Sequence, residues 1–261
     1  MMGPSEAVAA RCMQVFAFES REEMGRRAAA HAAERIQAYC ARDGSVNVIF
    51  AAAPSQDEFY DSLASMHGIP WERVDVFQLD EYVGLASTAP ERFGRYLQGH
   101  LFDRVPIANV HLIDDRGQQE PELIRSQYAE RLREVELHLA CIGIGENGHI
   151  AFNDPGSADF ADPESVRIAE LDDACRAQQV HDGCFRTKEE VPTHAITVTV
   201  PLIMSAKEIL CVVPGARKAL AVERTLEGPI TEECPASVLR RHPSTRLLLD
   251  GQSSTRIFKG V

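Results

Sequence analysis

The chain lacks several features that would place it in a class at once. No stretch of its 261 residues approaches the roughly 20 apolar residues that a membrane span requires. The opening MMGPSEAVAARCMQVFAFES has no charged start followed by a long apolar core, so no export signal is expected. No CxxC pair occurs. The seven cysteines (Cys12, Cys40, Cys141, Cys175, Cys184, Cys211 and Cys234) are scattered and odd in number, which indicates neither a zinc site nor a disulfide framework. A reduced cytoplasm is the simplest compartment for them. Basic residues are in deficit: 27 Lys and Arg against 39 Asp and Glu leave a net charge of −12. That balance argues against a nucleic-acid surface, although a few local donors can still hold a small phosphate. No internal repeat or low-complexity segment is visible.

What is present is an ordinary globular composition, 44% hydrophobic and 25% charged, with enough chain for a sizeable core. The run from Arg21 to Arg42 is Ala-rich and amphipathic, with Ser20 placed as an N-cap, Glu23 three residues on and Gly44 as a stop. Short β-branched runs follow at Val46–Ala51 and Val74–Leu79, then Leu137–Gly145, Ala195–Val200, Glu208–Val213 and Thr245–Asp250. Helical stretches are expected over Asp57–His67, Glu91–Phe102, Pro121–Val135, Arg217–Glu227 and Pro235–Arg241. Strands alternating with helices predict one α/β domain over residues 1–261. Its architecture should be three-layered, a mainly parallel Rossmann-like sheet with helices on both faces.

In such folds ligands sit beyond the carboxyl ends of the strands. Three of those exits are chemically loaded: Asp80-Glu81-Tyr82, then Gly143-Ile144-Gly145-Glu146-Asn147-Gly148-His149, and Pro214-Gly215-Ala216-Arg217-Lys218. An acid, a histidine with an acid nearby, and a lysine at a helix start make a set suited to proton transfer and anion binding. The GxGxxG of Gly143, Gly145 and Gly148 also fits a dinucleotide fingerprint, but that motif must open a helix. Here it runs into AFNDPGSADFADP, where Pro155, Gly156 and Pro163 oppose one.

The segments LDEYVGL (79–85), GIGENGHIAFNDPGS (143–157), VPTHAITVTV (191–200) and PGARKALAVERTLEG (214–228) resemble the glucosamine-6-phosphate deaminase family. The resemblance runs in order from about Val46 to Asp250, and the GxGxxGHIAFN string is its most specific part. It implies an aldose–ketose isomerisation coupled to loss of ammonia, giving fructose 6-phosphate from glucosamine 6-phosphate, with no cofactor and no metal. By resemblance, Asp80 abstracts the proton from C2, His149 moves a proton at the ring oxygen, and Asp154 supports His149. Asn147 stands beside His149, where the family usually has Asp, and Asp154 stands where it usually has Glu. Lys218 binds the substrate phosphate, with Ser55 and Gly145 as further substrate contacts. The family's Gly/Ser/Thr-rich phosphate loop reads Ala51-Ala52-Ala53-Pro54-Ser55-Gln56 here, and Arg186 stands nearest to the usual phosphate-gripping arginine.

These readings predict a small phosphosugar substrate as partner, with neither nucleic acid nor membrane. A homo-oligomer is compatible with the sequence, since members of the family occur both as monomers and as hexamers. The alternatives are a 6-phosphogluconolactonase-like hydrolase, an isomerase of another phosphosugar, or a non-enzymatic sugar-phosphate sensor. Retention of Asp80 together with His149 argues against the sensor.

Overall fold

The computed structural model describes residues 13–113 and 120–258, so the reading of the extreme amino terminus, Cys12 included, lies outside the described residues. Strand β1 (Met13–Ala17) leads into α1 (Arg21–Asp43). Ser20 Oγ accepts from Glu23 N, and Gly44, at φ +86°, closes the helix by donating to Cys40 O, as the spacing predicts. Next come β2 (Val46–Phe50), α2 (Asp57–Ala64), β3 (Val74–Gln78), β4 (Asp80–Tyr82), α3 (Phe93–His100), β5 (Asn109–His111) and α4 (Pro121–Arg133). After them the chain forms β6 (Leu139–Ile142), β7 (Val166–Glu170), α5 (Asp173–His181), β8 (His194–Val198) and α6 (Val200–Met204). It ends with β9 (Glu208–Val213), α7 (Ala219–Glu227) and β10 (Thr245–Leu249).

Seven strands form one parallel sheet in the order β1-β10-β9-β6-β2-β3-β5. Side chains of successive strand residues leave on opposite faces, and here both faces are buried. Val46, Val48 and Phe50 of β2 join one apolar cluster with residues of α1, α2 and α3; Ile49 joins the other with residues of α4, α6 and α7. This is the expected three-layer α/β fold. No helix of the described residues is long and apolar enough to cross a membrane.

Two expectations are corrected. The Ala195–Val200 run does not join the parallel sheet: β8 lies between β4 and β7 in a separate antiparallel three-stranded sheet, and the chain turns into α6 at Val200. Pro235–Arg241 winds as a 3₁₀ helix rather than an α-helix.

The strand order reverses between β2 and β6. From β2 the chain builds outward through β3 and β5; from β6 it builds the other way through β9 and β10. A crevice opens at such a switch point, beyond the carboxyl ends of the strands.

Candidate active site

A cleft occupies that position. Its walls are Ala51–Ala53, Ser55 and Gln56 after β2, Leu79 and Asp80 after β3, Gly143–Gly145 after β6, and Lys218 after β9. His149 and Phe152 of the glycine loop, Phe93 of α3 and Gln178 and Gln179 of α5 complete it. Asp80, His149, Lys218, Ser55 and Gly145 are thus brought together, with Asp154 and Asn147 directly behind His149. Arg186 is not among them. Its side chain is 90% exposed and faces Glu190 at 3.3 Å, on the turn that follows α5. The arginine proposed for the phosphate therefore does not reach the cleft.

The adjacent acids Asp80 and Glu81 have opposite fates. Glu81 accepts from the backbone N–H groups of Tyr82, Phe93 and Gly94 and from Gln78 Nε2, and it lies 3.5 Å from Arg92 Nε. Two of those donors open α3, where the helix dipole favours a carboxylate. Glu81 thereby fixes the helix that carries Phe93 into the cleft. Asp80 lines the cleft, and burial, reinforced by the neighbouring Glu81 charge, pushes its carboxyl well above the ordinary range. A buried carboxyl whose pKa is raised is a candidate proton-transfer group.

The glycine loop holds His149 by several contacts. Gly145 N donates to His149 O at 2.9 Å, and His149 N donates to Asn147 Oδ1 at 3.0 Å. The imidazole lies directly on Gly145, where a Cβ would overlap the ring. Gly148 turns the chain at φ +95° with Cys234 packed against it, a conformation that excludes larger residues. Beyond the ring, Asn153 Nδ2 donates to Ile150 O and Val198 O, and Phe152 N donates to Thr197 Oγ1. The loop is thereby pinned to β8. Between these anchors Ala151 adopts φ +51°, the sole non-glycine with positive φ among the described residues, and such strain clusters at functional sites.

His149 Nδ1 stands 2.9 Å from Asp154 Oδ1. Burial pushes the Asp154 carboxyl up, but the His149 charge and contacts from His149, Asn147 and Cys175 outweigh it and hold the group below its usual range. Asp154 is thus a buried anion set against the ring. His149, Asp154 and Cys175 are also the one grouping of metal-ligand atoms among the described residues, within 4.8 Å of one another. Burial drives the Cys175 thiol far above its ordinary range, opposite to the thiolate that a thiol-ligated metal needs.

Lys218 ends a 3₁₀ turn, Ala216–Lys218, and stands at the N-cap of α7. The turn is set by Gly215, whose N–H is held by the Asp250 carboxylate. Burial lowers the Lys218 pKa, and the charges of Asp182 and Glu146 partly restore it.

Sequence reasoning misses the amides. Gln56 Nε2 donates to Val212 O at 3.1 Å, leaving its buried Oε1 without a partner. Gln178 Oε1 accepts from Glu146 N at 2.8 Å, and Gln179 Oε1 accepts from Tyr82 OH at 2.6 Å. All three belong to the cleft wall. The only signal for the last two is the adjacent pair itself, in a helix with no strong apolar period.

Residues 19–248 match the family model described as glucosamine-6-phosphate isomerases/6-phosphogluconolactonase. The glucosamine-6-phosphate deaminase of an Exiguobacterium species is 39% identical over 183 residues, 70% of each chain. The deaminase of Listeria monocytogenes is 32% identical over 212 residues, 81% of this chain and 88% of that one. Among solved structures, a monomeric glucosamine-6-phosphate deaminase superposes with a TM-score of 0.83 at 26% identity, covering 93% of this chain and 99% of that one. The 6-phosphogluconolactonase of Trypanosoma brucei shares the fold, with a TM-score of 0.78 at 15% identity over 93% and 98% of the two chains.

Proposed function

The chain belongs to the glucosamine-6-phosphate isomerase/6-phosphogluconolactonase family, and we propose that within it the protein is an amino-sugar-phosphate deaminase/isomerase. On this reading residues 1–261 work as one unit that converts glucosamine 6-phosphate and water to fructose 6-phosphate and ammonia. The observation that carries the reading is the convergence of a buried carboxyl, Asp80, with the His149–Asp154 pair on one cleft. Lactone hydrolysis has no need of a base at a sugar carbon; isomerisation does. The curated relatives named above, at 32–39% identity, are deaminases, which favours the same branch.

In the proposed mechanism Lys218 holds the phosphate by a charge-assisted bond at the α7 terminus. His149, with Nδ1 turned to Asp154 at 2.9 Å, uses its other ring nitrogen to move a proton at the ring oxygen, and the sugar opens. Asp80 then takes the proton from C2. The resulting enolamine is reprotonated at C1 to give the 2-imino sugar phosphate, and attack of water at C2 releases ammonia. The unpaired Gln56 Oε1 offers an acceptor to a sugar hydroxyl, adding to the Ser55 hydroxyl in a loop otherwise built of alanine and proline. Operation in the cytoplasm on a small phosphosugar belongs to the same proposal, in keeping with cysteines that stand free at positions 40, 141, 175, 184, 211 and 234. Turnover of glucosamine 6-phosphate, set against hydrolysis of 6-phosphogluconolactone by the same preparation, tests it.

A further inference from the structure

A second carboxylate reaches the catalytic loop from a different part of the fold. Asp172 caps α5, its Oδ1 accepting from Cys175 N at 2.5 Å. Its other oxygen, Oδ2, lies 3.4 Å from Asn147 Nδ2. The same amide nitrogen donates to Asp154 Oδ1 at 3.0 Å. A side-chain NH₂ carries two hydrogens, one for each acid. The amide oxygen meanwhile accepts from His149 N. Every polar atom of Asn147's side chain is therefore committed, to two acids and to the histidine backbone.

This arrangement has a charge logic. Asp154 is 1% exposed, and Asn147 and Asp172 are half-buried. A carboxylate at position 147 would place three acids within hydrogen-bonding reach of one another, with no N–H between them. A neutral residue at 147 is what an acid at 172 requires. We propose that Asn147 and Asp172 form a charge-matched pair, in which Asp172 is a positioning residue. It clamps the Asn147 amide that steadies Asp154 behind His149. It also docks the first turn of α5, and with it Gln178 and Gln179, onto the glycine loop. The pair spans 25 residues of sequence and joins two loops that no strand pairing connects.

The test is a reciprocal exchange. The variants are Asn147→Asp, Asp172→Asn and the double variant carrying both. Each is measured for kcat and KM on glucosamine 6-phosphate and for melting temperature. Asn caps a helix as well as Asp does, so Asp172→Asn removes the charge and keeps the cap. Asn147→Asp alone should lower kcat about tenfold or more, within the range seen for residues sharing one hydrogen-bond network, and should lower the melting temperature. The double variant should recover the part of both losses that arises at position 172, while the 3.0 Å contact between position 147 and Asp154 stays without a hydrogen. Asp172→Asn alone should reduce kcat severalfold with KM nearly unchanged, because the group behind the histidine is loosened while the phosphate contact is not.

A double variant no better than Asn147→Asp in either kcat or melting temperature overturns the pairing. Should Asn147→Asp fail to fold, a folded double variant still supports the pair, and an unfolded one counts against it. The activity arm rests on the deaminase reading; the melting arm does not. If wild-type protein leaves glucosamine 6-phosphate untouched, that reading fails, and non-additive melting temperatures alone decide the pairing.

Discussion

Asp80→Asn should have two opposite effects, one on activity and one on stability, and both follow from the same buried carboxyl. The native group lies 6% exposed beside Glu81, and burial together with that neighbour raises its pKa well above the usual value. Its folded pKa exceeds its unfolded one, so the folded state binds more protons across the interval between them. Stability is lost as pH rises from the unfolded value, about 3.9, toward the folded value, and the loss is complete above it. Each unit of difference is about 1.4 kcal/mol. Asn cannot ionise and does not incur this cost. The variant should therefore match the wild type near pH 4 and melt higher at neutral pH, by about 2–4 °C for each kcal/mol relieved in a protein of this size. Over the same range turnover should fall by about 10²–10⁴-fold, the usual contribution of a positioned base. Calorimetry across a pH series, paired with an ammonia assay, reads both. A variant that melts no higher at neutral pH, or that keeps near-native turnover and C2-hydrogen exchange in heavy water, would refute the assignment.

The other predictions concern the cleft wall. Lys218→Ala should weaken binding of the phosphorylated sugar by about 1.5–3 kcal/mol, the range for a bond to a charged group, because no arginine lines the described cleft to share the load; an unchanged KM would remove Lys218 from that role. Gly145→Ala should cost most of the activity while the protein stays folded, because the new methyl group occupies the place of the His149 ring; retention of native kcat would show that the ring is not held where the structure puts it.

The legible part of this fold was the part written in long or strongly patterned runs. Strands β2, β3, β6 and β9 are buried over most of their length and read as short, mainly apolar and β-branched runs, so the parallel sheet and its loaded exits follow directly. Strand β1 gives little signal because it is a partly exposed edge strand. The sheet of β8 is not legible either, because its partner β4 is three residues long and nothing in Ala195–Val200 tells a small antiparallel sheet from a large parallel one. Within the site, Asp80, His149 and Lys218 could be found because each stands at a strand exit or on the loop that follows it. Gln178, Gln179 and Asp172 could not, since α5 itself carries little apolar periodicity and its approach to the glycine loop is a tertiary fact. Arg186 is near the site in sequence only, since the turn after α5 leaves its side chain exposed.

The central claim is that the Asp80–His149 cleft removes a C2 proton and releases ammonia. Its most direct test is incubation of the purified protein with glucosamine 6-phosphate in heavy water, following ammonia and fructose 6-phosphate together by enzymatic assay and NMR. The account predicts equal amounts of the two products, with C2 hydrogen lost to solvent and deuterium delivered to C1 in proportion to proton exchange. No ammonia from glucosamine 6-phosphate, with rapid hydrolysis of 6-phosphogluconolactone by the same preparation, would contradict it.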